Sequence, residues 1–380
     1  MAAYIIGTGK TRFGPTSKTI PWLAHEAIVD ALLDAELQPE DLDAVIVANF
    51  LGGPNENQLH LNAVVAGLFP GLHLPSWRTE AACASGGVAV HQAVLSLATY
   101  PTILVVGVER MSNVVGKELT HNISMAGDVL LDQLGGLNFP ANYALVAQAH
   151  MATYGTTVRD LELLSLKSHA NANLNPKAHF HLKEIGQQDI DAGPTVAAPL
   201  RLFDCCPVSD GACAAIVSSI PRSRRSVPVL GSAVSSDVIS LVQRSTRTSF
   251  PAAVDAAHRA YSQAGISARE VSLAEVHDCF TIAEIVAMED LGLTDCGEAT
   301  SSIRAGETQI GGRIPINAGG GLKAGGHAIG ATGVGQIHEL VAQLRGEAGT
   351  YQVGNARVGL AHNVGGVGGT CAVHLLGAAQ

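Results

Sequence analysis

Hydrophobic positions along the chain fall into short runs that switch between two periods. Ala44–Ala48 and Thr102–Val108 are unbroken apolar and β-branched stretches, the pattern of strands buried on both faces of a parallel sheet. Ala3–Gly7 reads the same way. Between them, Pro21–Ala35, a stretch near Glu56–Leu68 and Ser85–Leu97 space their apolar residues as helices do, the first with a proline near its start. From about Met111 to Leu200 the regularity lapses. Gly-rich turns there separate two predicted helices, Asn142–Tyr154 and Arg159–Asn171, so residues 112–200 read as an insertion packed over the first unit. The sheet pattern resumes at Ala212–Ser218, and Pro221-Arg222-Ser223-Arg224-Arg225 forms a polar, basic junction. The junction divides the chain into 1–225 and 226–380. Beyond it, strands are predicted at Val227–Ser235, Leu273–Val276, Arg313–Ile316, Arg357–Ala361 and Thr370–Leu375. Helices are predicted at Ala252–Ala264, Thr281–Leu291 and Ala331–Leu344. Two strand–helix series of similar length predict an α/β fold made of a duplicated unit.

Composition narrows the function. At 380 residues, 47% hydrophobic and 15% charged, the chain can bury a large core and is neither disordered nor fibrous. Aromatics are 4% and the formal charge is −10, which argues against a nucleic-acid stacking platform or a general phosphate-backbone binder. Seven cysteines without regular spacing do not read as a disulfide framework. No apolar run approaches the ~18 residues of a membrane span, and the N-terminus lacks a basic segment followed by a long apolar one. A cytoplasmic protein is expected.

Four segments carry candidate chemistry. Cys83-Ala84-Ser85-Gly86-Gly87 sets a thiol at a strand-to-helix turn, where helix N–H groups favour thiolate and can lower its pKa from ~8.5 to ~7 or below. His277-Asp278-Cys279-Phe280 places an imidazole and a thiol on one side of a strand end. Asn317 to Gly333 is Gly-rich, and its acid–base side chain is His327, at a helix start. This run also meets the dinucleotide spacing at Gly319, Gly321 and Ala324, with Glu339 where a ribose-binding acid would sit, but more glycine follows in place of a helix. Finally, Ala361-His362-Asn363-Val364-Gly365-Gly366-Val367-Gly368-Gly369 ends a strand in stacked glycines that can aim a backbone N–H at a carbonyl oxygen. No paired Cys-x-x-Cys is present, and no metal is expected.

In this order and at these separations the four segments resemble the signature of the thiolase superfamily, above all its sterol-carrier-protein-type members. In those, His-Asp-Cys-Phe replaces the Asn-Glu-Ala-Phe loop of other thiolases. Val106-Gly107-Val108-Glu109-Arg110-Met111-Ser112, Asn142-Tyr143-Ala144-Leu145 and Cys206-Pro207-Val208-Ser209-Asp210-Gly211-Ala212 extend the likeness over essentially the whole chain. The family's Gly-His-Pro is here Gly326-His327-Ala328, a less rigid loop.

The resemblance implies a duplicated five-layered αβαβα fold with an inserted loop domain. It implies acyl-CoA and CoA as substrates without a further cofactor, and a homodimer or homotetramer, and it admits a small OB-fold/zinc-ribbon accessory protein. It makes Cys83 the acylated nucleophile, His327 its base and Cys279 the acid–base group at the α-carbon. His277 and His327 then hold the enolate oxygen, and the backbone N–H groups of Cys83 and Gly365 form an oxyanion hole. CoA phosphates need local cations, and Arg222, Arg224, Arg225, Arg244 and Arg247 are the candidates. The rival functions are a decarboxylating ketoacyl synthase or C-acyltransferase on the same fold, and a non-catalytic lipid-binding protein. Cys279 discriminates among these, because decarboxylation makes an enolate without a base.

Overall fold

The computed structural model describes residues 2–379. Nine of its eleven strands form one sheet. In chain order the strands are β1 Tyr4–Lys10, β2 Ala44–Ala48, β3 Ser76–Thr79, β4 Thr102–Glu109, β5 Thr195–Ala197, β6 Leu200–Arg201, β7 Gly211–Ser218, β8 Val227–Ser236, β9 Leu273–Glu275, β10 Val358–Gly365 and β11 Thr370–Gly377. The large sheet runs β3-β2-β4-β7-β1-β8-β11-β10-β9, and β5 pairs β6 apart from it.

Pairing directions expose the internal repeat. In the first half β1 is antiparallel to β7 and β7 to β4, whereas β4 and β2, and β2 and β3, are parallel. The second half repeats this with β8, β11, β10 and β9. The counterpart of β3 should be the strand expected at Arg313–Ile316. It has shrunk to a single parallel bridge between Ala274 and Ile316, because Pro315 lacks the N–H a longer ladder needs.

Alternation within each strand distributes the core into layers. Leu104, Val106 and Val108 of β4 face the Ile20–Ala35 helix in one cluster. Ile103 and Val105 face inward, where the Ser85–Ser96 and Thr332–Arg345 helices lie between the two half-sheets. On the far side β10 and β11 pack against the Pro251–Ala264 and Thr281–Asp290 helices. Helix, sheet, helix pair, sheet and helix make five layers.

The inserted segment divides: Leu119 and Ile123 of its Gly116–Ser124 helix pack with Leu51 of the first half, whereas its two long helices join the second. Tyr143, Val146 and Ala147 of its Phe139–Tyr154 helix, and Leu161 and Leu164 of its Val158–Leu174 helix, join the core of the second half. A buried ion pair between Lys167 and Glu284 fixes this docking. The stretch near Glu56–Leu68, read as one helix, is two short ones, Gly52–Glu56 and Leu61–Ala66. Asn57, left-handed at φ 52°, ends the first.

The two central helices cross at their N-termini, at glycines. A Cβ on Gly333 would lie 2.1 Å from the Gly87 nitrogen and 2.3 Å from Asn363 Oδ1, and one on Gly86 would lie 2.8 Å from the Gly333 nitrogen. Gly333→Ala should therefore lower unfolding free energy by about 1–3 kcal/mol or more, as overpacking does. Chemical denaturation checks this, and an unchanged midpoint would show that the crossing can relax.

Candidate active site

The crossing brings the reactive residues together. After β3, Ala82 adopts the left-handed conformation at φ 50° and turns the chain so that Cys83 precedes the Ser85–Ser96 helix. Ser85 Oγ locks this turn by donating to the Ala82 carbonyl at 2.6 Å and accepting from the Ala81 N–H at 2.9 Å. From the other half come His277, just beyond β9, and His327, ahead of the Thr332–Arg345 helix. The two imidazoles meet edge to face, with centroids 5.2 Å apart and planes at 85°. One side-chain donor atom each of Cys83, His277 and His327 lies within 4.8 Å of the others.

Hydrogen bonds assign the two rings opposite tautomers. Asn363 Oδ1 accepts from the Gly87 N–H at 3.0 Å, so its Nδ2 must be the donor. That nitrogen donates to the Cys83 carbonyl at 2.9 Å and to His277 Nδ1 at 3.2 Å. The His277 proton consequently sits on Nε2, which is buried and has no partner. For His327 the logic inverts. Thr332 Oγ1 donates to the Ala328 carbonyl at 3.1 Å and lies 2.7 Å from His327 Nδ1, so Nδ1 is the donor and Nε2 is left bare. One imidazole beside the thiol is thus a base, and the other offers an unspent N–H. A protonated Nε2 on His277 cannot ligate a metal, so this trio suits acyl chemistry better than coordination.

Burial sets the electrostatics. It holds the His327 pKa down at about 3 and drives that of His277 well below the usual value, with His327 and His362 adding to the effect. Both rings are neutral at pH 7. Cys83 departs from expectation: its pKa is pushed up to about 12 by burial, against the favourable N–H of Gly366. The helix start does not win here, because desolvation outweighs the N–H groups of Gly366 and of Cys83 itself. Cys279 is buried, and its thiol is likewise pushed well up by desolvation and by the neighbouring Cys206 and Cys83 sulfurs.

Cross-ties hold the loops in register. Asp278 accepts from the Leu322 N–H at 2.6 Å, which links the His277 loop to the glycine run. Gly321, at φ 58°, is required there, since a Cβ would lie 2.3 Å from Asp278 Oδ2. Glu109 accepts from the N–H groups of Phe50, Leu51 and Gly330 at 2.9, 3.0 and 3.0 Å. The Gly330 contact pins the loop that Ala328, in place of proline, would otherwise leave freer.

Beside the thiol lies a cavity of ≈ 290 Å³ whose walls include Cys83, Cys279, His327, Tyr143 and Gly366, with Met111, Ile123, Leu202, Val208 and Ile329 among the apolar ones. Four of the five predicted catalytic residues therefore gather at one place. For the fifth, it is Gly366 whose N–H faces Cys83 and which lines the cavity. Gly365 instead packs on Ala81, where a Cβ would come within 2.4 Å of the carbonyl oxygen.

The arginines divide differently. Arg225 is engaged with Asp34 and Glu347 at 2.7 and 2.9 Å. Arg244 donates to Asp237 at 3.0 Å and to the Val238 and Val367 carbonyls, and it lies over the Phe250 ring. Both guanidiniums thus have partners within the protein, the Arg225 side chain remaining 45% exposed. Arg222 and Arg224 line a separate ≈ 360 Å³ cavity that shares no residue with the first, and Arg247 is exposed. Glu339, the acid of the dinucleotide spacing, is buried and bound to Lys10 Nζ at 2.6 Å and the Tyr351 hydroxyl at 2.9 Å. That carboxylate is thus engaged within the core. Sequence reading missed Asn363 and Thr332 as functional, although both lie in the quoted motifs. An asparagine among turn glycines gives no sign that it will orient two partners across a sheet.

Comparison with known proteins agrees with this geometry. Residues 3–220 match the family model for the thiolase N-terminal domain, and residues 232–378 match the thiolase C-terminal domain-like model. The chain is similar to the acetyl-CoA acetyltransferase of Methanothermobacter thermautotrophicus, 42% identical over 381 residues and covering 98% of each chain. It is similar to human sterol carrier protein 2, 29% identical over 98% of this chain and 71% of that protein. Among solved structures it resembles the Ltp2-ChsH2(DUF35) aldolase, with a TM-score of 0.87 at 27% identity over 100% of this chain and 98% of that one.

The neutral thiol–imidazole pair has a measurable signature. Thiolate grows as pH rises toward the raised pKa, so alkylation of Cys83 should quicken about tenfold per pH unit through pH 9. A plateau from about pH 5 upward would reveal a thiolate–imidazolium ion pair instead. Acid has the opposite sign for the fold. His327 titrates near 3 when folded against an ordinary 6.5, so the unfolded chain binds more protons between those values. The contribution of His327 to stability should fall as pH drops through that window, so wild type should lose more stability between pH 6.5 and 4 than His327→Asn. Equal pH dependence of the two denaturation midpoints would contradict the buried neutral assignment.

Proposed function

Since this chain belongs to the thiolase family and is a thiolase-type acyltransferase, we propose that it makes or breaks the carbon–carbon bond of a 3-ketoacyl-CoA through an acyl group carried on Cys83. The observation that carries this reading is the pair of opposite tautomers beside one thiol, with a second thiol in the same cavity. His327 Nε2 takes the Cys83 proton, the sulfur attacks the thioester carbonyl, and the departing CoA sulfur receives that proton from His327. The carbonyl oxygen, negative at the tetrahedral stage, is met by backbone N–H groups at Cys83 and at Gly365 or Gly366. Losing one such donor costs about 3–4 kcal/mol of transition-state stabilisation.

In the second half-reaction Cys279, as thiolate, takes a proton from the α-carbon of an acyl-CoA. The C–H electron pair moves to the thioester oxygen, where the His277 Nε2–H is the unspent donor. The enolate carbon then attacks the acyl group, and the Cys83 sulfur leaves. The proton that Cys279 had released to solvent returns to Cys83 through His327, so the step balances. Thiolysis is the same sequence reversed.

The reading includes a homodimer or homotetramer in the cytoplasm. It also includes a small OB-fold/zinc-ribbon accessory protein, supported by the DUF35 component in the name of the similar aldolase. CoA phosphates are assigned to Arg247, with Arg222 and Arg224 as alternatives. No further cofactor is invoked.

Mass spectrometry with a panel of acyl-CoAs tests the scheme. Cys83→Ala should take up no acyl group. Cys279→Ala should still load Cys83 from acetyl-CoA, while carbon–carbon bond formation falls by about 10²–10⁴, the worth of a general acid–base group. A stable adduct on Cys83→Ala would overturn the nucleophile assignment. Full activity of Cys279→Ala with malonyl-CoA, together with a wild-type preference for that substrate, would make the protein a decarboxylating synthase.

A further inference from the structure

One buried polar group links the two thiols and has no part in the steps above. Tyr143 comes from the inserted segment, is only 1% exposed, and still contributes to the wall of the reactive cavity. Its ring is clamped on two sides. It stacks on Phe280, the neighbour of Cys279, at 4.7 Å and 25°, and it meets Phe250 edge-on at 6.2 Å and 88°. The clamp fixes the hydroxyl, which donates to the Gly366 carbonyl at 3.2 Å, and the Cys279 thiol, next in sequence to the stacked Phe280, lines the same cavity. The same Gly366 presents its N–H to Cys83. One glycine residue and one phenol thus lie between the two sulfurs.

We propose that Tyr143 is the positioning residue for Cys279: its hydroxyl hydrogen, held by Gly366 while Cys279 is a thiol, swings to Sγ when the thiolate forms. The two acceptors differ in charge, and this drives the swing. A hydrogen bond to an anion is roughly twice as strong as one to a neutral carbonyl. Tyr143 therefore favours the thiolate from which the α-proton is removed, in a pocket whose burial otherwise opposes it. No net proton moves in the swing. The phenol keeps its hydrogen, which burial secures by pushing its own ionisation well up. The inference rests on Cys279 being the acid–base group.

Tyr143→Phe keeps both aromatic contacts and removes only the hydroxyl. Two readouts separate the half-reactions: acetyl loading on Cys83 by mass spectrometry, and deuterium uptake at the α-carbon of acetyl-CoA in heavy water by NMR. Loading should stay within about threefold of wild type, while deuterium uptake and bond formation fall roughly 10–100-fold in kcat with KM unchanged. Replacing Tyr143 by 3-fluorotyrosine, a more acidic donor of nearly the same size, should restore uptake to wild-type rate or above. Equal slowing of both half-reactions would mean a purely structural role and overturn the proposal. So would undiminished uptake in Tyr143→Phe, or a fluorotyrosine enzyme no better than the phenylalanine one. If Cys279→Ala itself keeps full uptake, the acid–base reading of Cys279 fails and the proposal fails with it.

Discussion

The close approach of two helix N-termini is the constraint on which the site depends. The Ser85–Ser96 and Thr332–Arg345 helices touch through Gly86, Gly87 and Gly333, with no room for a Cβ at the crossing. Each helix is preceded by a reactive residue, Cys83 in one half and His327 in the other. Bringing the helix starts into backbone contact brings a thiol and an imidazole within a few ångströms. The repeated strand order makes this possible, because it places equivalent helices face to face between two half-sheets.

Asn363 turns that proximity into function. It lies on β10 of the second half but bonds to the Gly87 N–H and the Cys83 carbonyl of the first half, and to His277. Its amide carries donor and acceptor on opposite sides, so a single side chain fixes both a backbone register and a tautomer. Thr332 performs the complementary task for His327. Two neutral imidazoles of identical intrinsic chemistry become a base and a donor through their second nitrogen alone.

The cavity's electrostatics run against the simplest view of a reactive cysteine. Both Cys83 and Cys279 are held as thiols by desolvation, and both histidines are held neutral. Such a site stores no ion pair at rest, and charge develops only as bonds change. Donors already in place are then worth most, since they need no reorganisation when the charge appears. The inserted segment completes the arrangement. By docking on the second half it carries Tyr143 over Cys279 and walls the cavity with apolar side chains.

Much of this was legible in the chain itself. Apolar periodicity located Ala44–Ala48 to the residue and the Ser85–Ser96, Thr281–Asp290 and Thr332–Arg345 helices to within a residue or so at each end, because buried strands and helix faces leave a local signature. Residue type picked out Cys83, His277, Cys279 and His327, since few side chains can do acid–base or nucleophilic work. Tertiary structure alone decided the rest. Which groups Arg244 bonds, whether Gly365 or Gly366 faces the thiol, which half each inserted helix joins, and which nitrogen of each histidine holds the proton all turn on neighbours far away in sequence. The Cys83 pKa belongs with them. A local rule predicts stabilisation by the helix start, but the desolvation that outweighs it is set by how the two halves close on each other.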